Sequence, residues 1–263
     1  MIRHQLHLGD EINTKAGREF YARKTEKFFD ACQKCGGTCA VTDEGRLASC
    51  PDCLLYAGRI KAFSNKFFFT VPPLFHHCMW SELQPSVKSI LPFEAQKKHM
   101  DYLSRHSDES VAFFGHPGTG KSTWMTAMYA QMVWWETTQP LQNTGGLVYR
   151  MDCKVLLDQF TQYSLHGADS DPAPAPRLSR ERIDGIGRKE GRVRLFLEEI
   201  DKVKPTDARM ANLYEVVNAI YENKGQLVIT SNLTPDQFQQ QFGDVFYRRI
   251  VEMSRIINLW EEK

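Results

Sequence analysis

Long hydrophobic runs are missing from this sequence. No apolar stretch in its 263 residues approaches the roughly 20 needed to cross a bilayer. The longest candidate, Phe67-Phe68-Phe69-Thr70-Val71-Pro72-Pro73-Leu74-Phe75, is cut by two prolines. The opening MIRHQLHLGDE carries no apolar core of the signal-peptide kind. A cytoplasmic protein without a membrane partner is the expectation. Net charge is missing as well: 33 Lys and Arg stand against 32 Asp and Glu. No global field points to nucleic acid, so any such contact must come from a local patch. There is no internal repeat. In a cytosolic chain, seven cysteines read as metal ligands or free thiols rather than a disulfide framework.

What is present falls into three stretches. Residues 11–30 are charged, with Phe20, Lys24 and Phe28 on one side, and predict a surface helix. Residues 32–53 hold five of the cysteines, and 54–64 predict a second amphipathic helix. An irregular connection with Pro72, Pro73, Pro85 and Pro92 follows. From about Phe93 helix and strand patterns alternate. Strands are expected near 110–114, 146–150, 193–198, 226–231 and 255–259. Helices are expected near 93–106, 121–136, 152–165, 207–223 and 244–253. Such alternation predicts an α/β layered domain with a mostly parallel sheet flanked by helices. The segment HGADSDPAPAP, 166–176, reads as a linker. The resulting division is a helical and four-cysteine module at 1–64, a linker at 65–92 and an α/β domain at 93–263.

The stretch GHPGTGKS, 115–122, matches the phosphate-loop pattern in full, between an apolar strand and a helix. Gly115, Gly118 and Gly120 let the loop, which also holds His116, Pro117 and Thr119, close its backbone N–H groups around phosphates. Lys121 neutralises the β- and γ-phosphates, and Ser122, followed by Thr123, offers a hydroxyl to Mg²⁺. The strand Arg194-Leu195-Phe196-Leu197 ends in Glu198-Glu199-Ile200-Asp201, and carboxylates at such a strand end sit beside the phosphate loop. Glu198 is the candidate for the Mg²⁺ water shell, in a position where Asp is usual, and Glu199 the candidate base for the attacking water. LVITSN, 227–232, is an apolar strand whose terminal Asn232 can reach the γ-phosphate or the lytic water. Arg248 and Arg249 lie on the next helix, and either can serve as an arginine finger for a neighbouring subunit.

Cys32-Gln-Lys-Cys35 and Cys50-Pro-Asp-Cys53 are two C-x-x-C pairs with 14 residues between them. Each pair forms a tight turn that presents two thiolates to one Zn²⁺. Four thiolates leave the metal no open position, so its role is to fold a small module. Cys39 stands as an alternative ligand. Cys78 and Cys153 read as buried apolar residues. So do Trp124, Trp134 and Trp135, at helical spacing. His76-His77 reads as a packed loop.

In combination these motifs resemble the DnaC/DnaI/IstB group of AAA+ ATPases, bacterial and phage helicase loaders with transposon relatives. The resemblance covers nearly the whole chain after residue 30. It runs through Cys-Gly-Gly-Thr at 35–38, VPPLFHHCMWSEL at 71–83, ANLYEVVNAIYENKGQLVITSN at 211–232 and FGDVFYRRIVEMSRIINL at 242–259. It implies a P-loop AAA+ domain behind a zinc module, with ATP, Mg²⁺ and Zn²⁺ as cofactors. It implies sensor-1 for Asn232 and the arginine finger for Arg249. The chain stops directly after the last strand, so the larger AAA+ lid is expected to be missing. The implied function is ATP-dependent loading of the replicative helicase onto single-stranded DNA, by a self-associating ATPase whose N-terminal region contacts the helicase. The basic stretch Arg177, Arg180, Arg182, Arg188, Lys189, Arg192 and Arg194 is the candidate DNA contact. The ATPase motifs serve an IstB-type transposition regulator equally well. A superfamily-3 viral replication helicase shares the ITSN strand and paired arginines, but would need a nickase domain where the cysteines stand. A nucleotide-binding adaptor that scarcely hydrolyses ATP is the remaining alternative, given Glu198.

Overall fold

The computed structural model describes residues 11–43, 46–138, 148–158 and 193–260. Those residues divide between two units. The first runs up to His77 and takes in residues 133–138; the second holds the remainder. The linker at 166–176 and the basic residues 177–192 lie outside the described residues, as does the second half of the helix expected at 152–165. None of the helices described is long and apolar enough to cross a membrane.

The first unit is a helical hairpin with a β-ribbon between its arms, flanked by the cysteines. Helix α1 (Lys15–Ala31) starts at Thr14, whose hydroxyl accepts from the Gly17 amide at 3.1 Å. That bond satisfies one of the amides a helix start leaves orphaned. Strands β1 (Ala40–Asp43) and β2 (Arg46–Ser49) pair antiparallel. Helix α2 (Pro51–Thr70) opens with proline, which has no N–H to leave unpaired. It is longer than the helix expected at 54–64, because Phe63, Phe67 and Phe68 continue its buried face. Phe20 of α1 meets Phe63 and Phe68 at ring-centroid distances of 5.4 and 5.3 Å.

The second unit carries helix α3 (Phe93–Arg105), strand β3 (Val111–Phe114) and helix α4 (Lys121–Thr138), whose last residues group with the first unit. Strand β4 (Val148–Asp152) leads into a helical segment at 153–158. Then come β5 (Arg194–Glu198), α5 (Asp207–Glu222), β6 (Gln226–Ser231), α6 (Pro235–Phe242), α7 (Asp244–Met253) and β7 (Arg255–Asn258). The sheet order is β4-β5-β6-β3-β7, and each pairing is parallel. Residues of β3 and β6 are buried throughout, as expected of central parallel strands covered on both faces. Helix α6 was not anticipated from periodicity. It is started by a capping box between Thr234 and Gln237 with Pro235 in the first turn. Its Phe238 meets Phe114 edge-on at 5.2 Å.

This order matters for function. Strand β6 lies between the strand that feeds the phosphate loop and the strand that ends in acids. All of them are parallel, so the loop, the acids and Asn232 emerge at one edge of the sheet.

Candidate functional site

The phosphate loop is the link between β3 and α4. Gly118 (φ 86°) and Gly120 (φ 98°) occupy the left-handed region, which a side chain would disfavour. Gly115 answers to space instead: a Cβ there would come within 2.7 Å of the Leu259 Cβ. Gly115→Ala is therefore expected to cost about 1–3 kcal/mol of stability through overpacking and to weaken nucleotide binding. Urea unfolding and an ATP titration check both.

Lys121 is buried, and its ammonium donates to the carbonyls of Gly115 at 2.7 Å and His116 at 2.8 Å. Burial pushes its pKa down to about 8, while Asp201 and Glu199 work the other way. An anion arriving at the loop would raise that pKa again, since opposite charge favours the ionised form. Thr119 closes the loop by donating its hydroxyl to the His116 carbonyl at 2.9 Å. Ser122 lies in the first turn of α4, and its carbonyl accepts from the Thr126 hydroxyl at 2.6 Å. Thr123 hydrogen-bonds the thiol of Cys78. Cys78 and Cys153 are both buried, as expected, and burial raises both thiols, to about 11 and about 12.

The acids occupy three distinct settings. Glu198 pairs with Arg150 of β4, whose side chain is only 2% exposed. Burial pushes the Glu198 carboxyl up, and Arg150 opposes that rise. Glu199 follows the strand with φ 52°, its carboxylate 2.6 Å from Lys202 and its amide donating to the Thr230 hydroxyl at 3.0 Å. Asp201 accepts from both nitrogens of Asn232, the backbone amide at 2.9 Å and the side-chain amide at 3.2 Å. The arrangement thus ties the end of β6 to the acidic turn and gathers Lys121, Glu199, Asp201 and Asn232.

Sequence reasoning had not singled out Arg150, Asp201 or Trp260. A charged residue inside an apolar strand was the signal for Arg150. Trp260 follows β7 and lies against the loop, its ring centroid 3.5 Å from that of His116.

The arginines lie elsewhere. Arg248 is exposed. Arg249 pairs with Glu252 at 2.8 Å, lies 4.1 Å above the Tyr221 ring and hydrogen-bonds Tyr214. Among the described residues it pairs with none in its own phosphate loop or acidic turn. Trp124 is buried as expected, but Trp134 and Trp135 are 36% and 44% exposed. Adjacent helical positions are about 100° apart, and one buried stripe does not cover both.

In the first unit, the sulfurs of Cys32, Cys35, Cys50 and Cys53 all lie within 4.8 Å of one another. Cys32 and Cys50 are 3.9 Å apart, Cys35 and Cys53 3.6 Å. A tetrahedral Zn²⁺ with bonds of about 2.3 Å places its sulfurs roughly 3.8 Å apart, so the donor set fits. Gly36 (φ 54°) and Gly37 (φ 84°) make the first turn. Burial acts to raise the Cys35 thiol, but hydrogen bonds from Cys32, Cys53 and the amides of Cys39 and Gly37 outweigh it and bring it to about 7. Burial, then Cys35 itself, pushes Cys53 strongly up. Four sulfurs this close do not all ionise without a cation. Cys39 stands beside the four rather than among them, its carbonyl accepting from the Cys50 amide at 2.9 Å.

Compared by sequence, the chain matches no protein-family model and no curated protein. Compared by fold, its second unit has the AAA+ P-loop architecture. The AMPPCP-bound DnaA from Aquifex aeolicus superposes with a TM-score of 0.51 at 11% identity, over 72% of this chain and 50% of that one. The DnaC helicase loader superposes with a TM-score of 0.53 at 14% identity, over 72% of this chain and 99% of that one. The chain therefore spans half the length of the DnaA chain it resembles. Identities this low speak to the fold alone.

Proposed function

We propose that this protein is an ATP-dependent loader of a replicative DNA helicase onto single-stranded DNA, with ATP hydrolysed at the interfaces of a self-assembled oligomer. The observation that carries the reading is the meeting of Lys121, Glu199, Asp201 and Asn232 at one sheet edge, in a chain with a four-cysteine module before it. The fold likeness to the DnaC helicase loader supports the same class.

In this reading Gly115 to Thr123 cradle the phosphates. Lys121 neutralises them. Ser122 and Glu198 would hold Mg²⁺ and its waters, and the ion would supply charge neutralisation on the transferring phosphoryl group. Glu199 must leave Lys202 to accept a proton from water. Asn232, steered by Asp201, orients that water. Arg249 completes a neighbour's site, so a monomer holds half a site. ATP then favours assembly and hydrolysis loosens it. The cysteine module recognises the helicase.

The test is ATP turnover per subunit against protein concentration, with and without single-stranded DNA. Lys121→Ala alone is expected to abolish turnover, and Arg249→Ala alone to lower it by about 10³-fold or more. Mixing the two restores part of the rate, because a mixed interface pairs an intact loop with an intact finger. A rate independent of concentration, with no recovery on mixing, overturns the shared-site mechanism. Co-purification with a replicative helicase then separates loading from transposition control.

A further inference from the structure

Three strands deliver their C-terminal ends to one place: β6 at Ser231-Asn232-Leu233, β3 at Gly115-His116 and β7 at Leu259-Trp260. Hydrogen bonds stitch the ends together. The Gly115 amide donates to the Ser231 carbonyl at 3.2 Å, and the Leu259 amide to the Phe114 carbonyl at 2.7 Å. Gly115 has room for no side chain against Leu259. Trp260 spans the remaining gap. Its indole lies against the His116 ring, centroids 3.5 Å apart and planes tilted by 49°, and its indole N–H donates to the Leu233 carbonyl at 2.9 Å. Its own amide is held by the Asn258 side chain at 3.2 Å.

Both ends of this span bear on the phosphate site. His116 supplies the carbonyl that holds the Lys121 ammonium and the Thr119 hydroxyl. Leu233 follows Asn232 directly, and Asn232 is the residue bonded to Asp201. A shift of His116 on anion binding therefore pulls on the indole, and the indole pulls on the backbone beside Asn232. An aromatic face combined with one N–H is suited to such a strut, because it holds a ring by contact and a carbonyl by direction.

We propose that Trp260 is a positioning residue that couples the phosphate loop to the end of β6, through His116 on one side and Leu233 on the other. The inference rests on the nucleotide-site reading above.

Two substitutions separate its two contacts. Trp260→Phe keeps a ring against His116 and removes the donor to Leu233. Trp260→Leu removes both. Three quantities are measured with Mg-ATP: the dissociation constant by calorimetry, kcat and KM, and the change in tryptophan emission on ATP addition. Lys121→Ala serves as the control without binding. In Trp260→Phe we expect a dissociation constant within about twofold of wild type and a kcat about tenfold lower, since misplacement of the group beside the attacking water acts on chemistry. In Trp260→Leu the dissociation constant is expected to rise about tenfold as well. The ATP-induced emission change of the wild type should be largely lost in both. Equal kcat in all three proteins overturns the coupling. So does an undiminished emission change in Trp260→Phe, or a loss of kcat and affinity in the same proportion in both variants. If the wild-type protein itself binds no ATP, the nucleotide-site reading fails first, and the calorimetry shows that separately.

Discussion

Arg150→Met is expected to destabilise the α/β unit by about 3–5 kcal/mol at neutral pH, because it leaves the Glu198 carboxylate buried without its partner. The geometry explains both the size of the effect and the departure from Asp at position 198. In the parallel pair β4–β5, Arg150 is in register with Phe196 and Asp152 with Glu198. All four share a face of the sheet, so Glu198 must reach diagonally back to Arg150. Diagonal neighbours across a strand pair are roughly 7–8 Å apart, within range of long side chains only. Glutamate has the extra methylene and aspartate does not. Glu198→Asp is expected to lose the ion pair while keeping the carboxylate. Arg150→Met combined with Glu198→Gln removes both charges and should recover most of the stability, as replacement of a whole buried pair generally does.

The pH dependence follows from the direction of the Glu198 shift. Burial raises its pKa above the ordinary value near 4.5, and Arg150 limits the rise. Without Arg150 the folded-state value climbs further. An acid with a raised folded-state pKa binds more protons folded than unfolded. Stability then falls as pH rises from the unfolded value through the folded one. The deficit of Arg150→Met should thus be largest at pH 7.5 and shrink towards pH 5. Urea unfolding at both values measures it. A deficit below about 1 kcal/mol at pH 7.5, unchanged at pH 5, would show that the pair contributes little net stability. In the wild-type protein Arg150 has a functional consequence too. It favours the ionised form of Glu198, the form that the proposed role beside a divalent ion would call on.

The legibility of this fold divides along physical lines. The phosphate loop was readable because eight consecutive residues, Gly115 to Ser122, must each serve a local geometry, and glycine, lysine and serine leave few alternatives. The strands were readable as apolar runs such as Val111–Phe114 and Gln226–Ser231. Their order in the sheet was not, since crossovers set it and no local pattern records them. Helix α6 escaped notice because PDQFQQQF has only two apolar residues, Phe238 and Phe242. Its capping signal, Thr234 to Gln237, was nonetheless present. Helix α2 runs past the expected boundary at 64 and stops only ahead of Pro72 and Pro73. Phe67 and Phe68 have buried positions to fill, and the helix runs on to Thr70. Within the site, Lys121, Glu198, Glu199 and Asn232 were readable from motif and strand end. Arg150, Asp201 and Trp260 act through partners 27 to 144 positions away, and separations of that kind are written only in the fold.

Removal of zinc is expected to unfold the first unit and leave the second intact. The four sulfurs come from two places: Cys32 and Cys35 at the end of α1 and the turn beyond it, Cys50 and Cys53 at the start of α2. The metal would staple the two helices at that end, while Phe20, Phe63 and Phe68 join them elsewhere. A unit of this size buries too little surface to rely on that aromatic contact alone. Structural zinc in small modules contributes an apparent binding free energy of about 10–16 kcal/mol at neutral pH, as large as the whole roughly 5–15 kcal/mol stability of a typical domain. The intact protein should bind one zinc per chain. Its cobalt-substituted form should show the intense charge-transfer absorption of tetrahedral thiolate ligation. Cys53→Ser should lose the metal and lower the helical circular dichroism by the share of α1 and α2. Cys39→Ser is the discriminating variant: its sulfur stands beside the four, so zinc content and the cobalt spectrum should survive. Loss of zinc from Cys39→Ser, with retention in Cys53→Ser, would reassign the fourth ligand to Cys39. Nucleotide binding by Cys53→Ser should remain near the wild-type level, because Lys121 and its partners belong to the second unit. On the proposed function, helicase binding should fail in the same variant, an outcome that would tie the metal to recognition rather than to the chemistry of ATP.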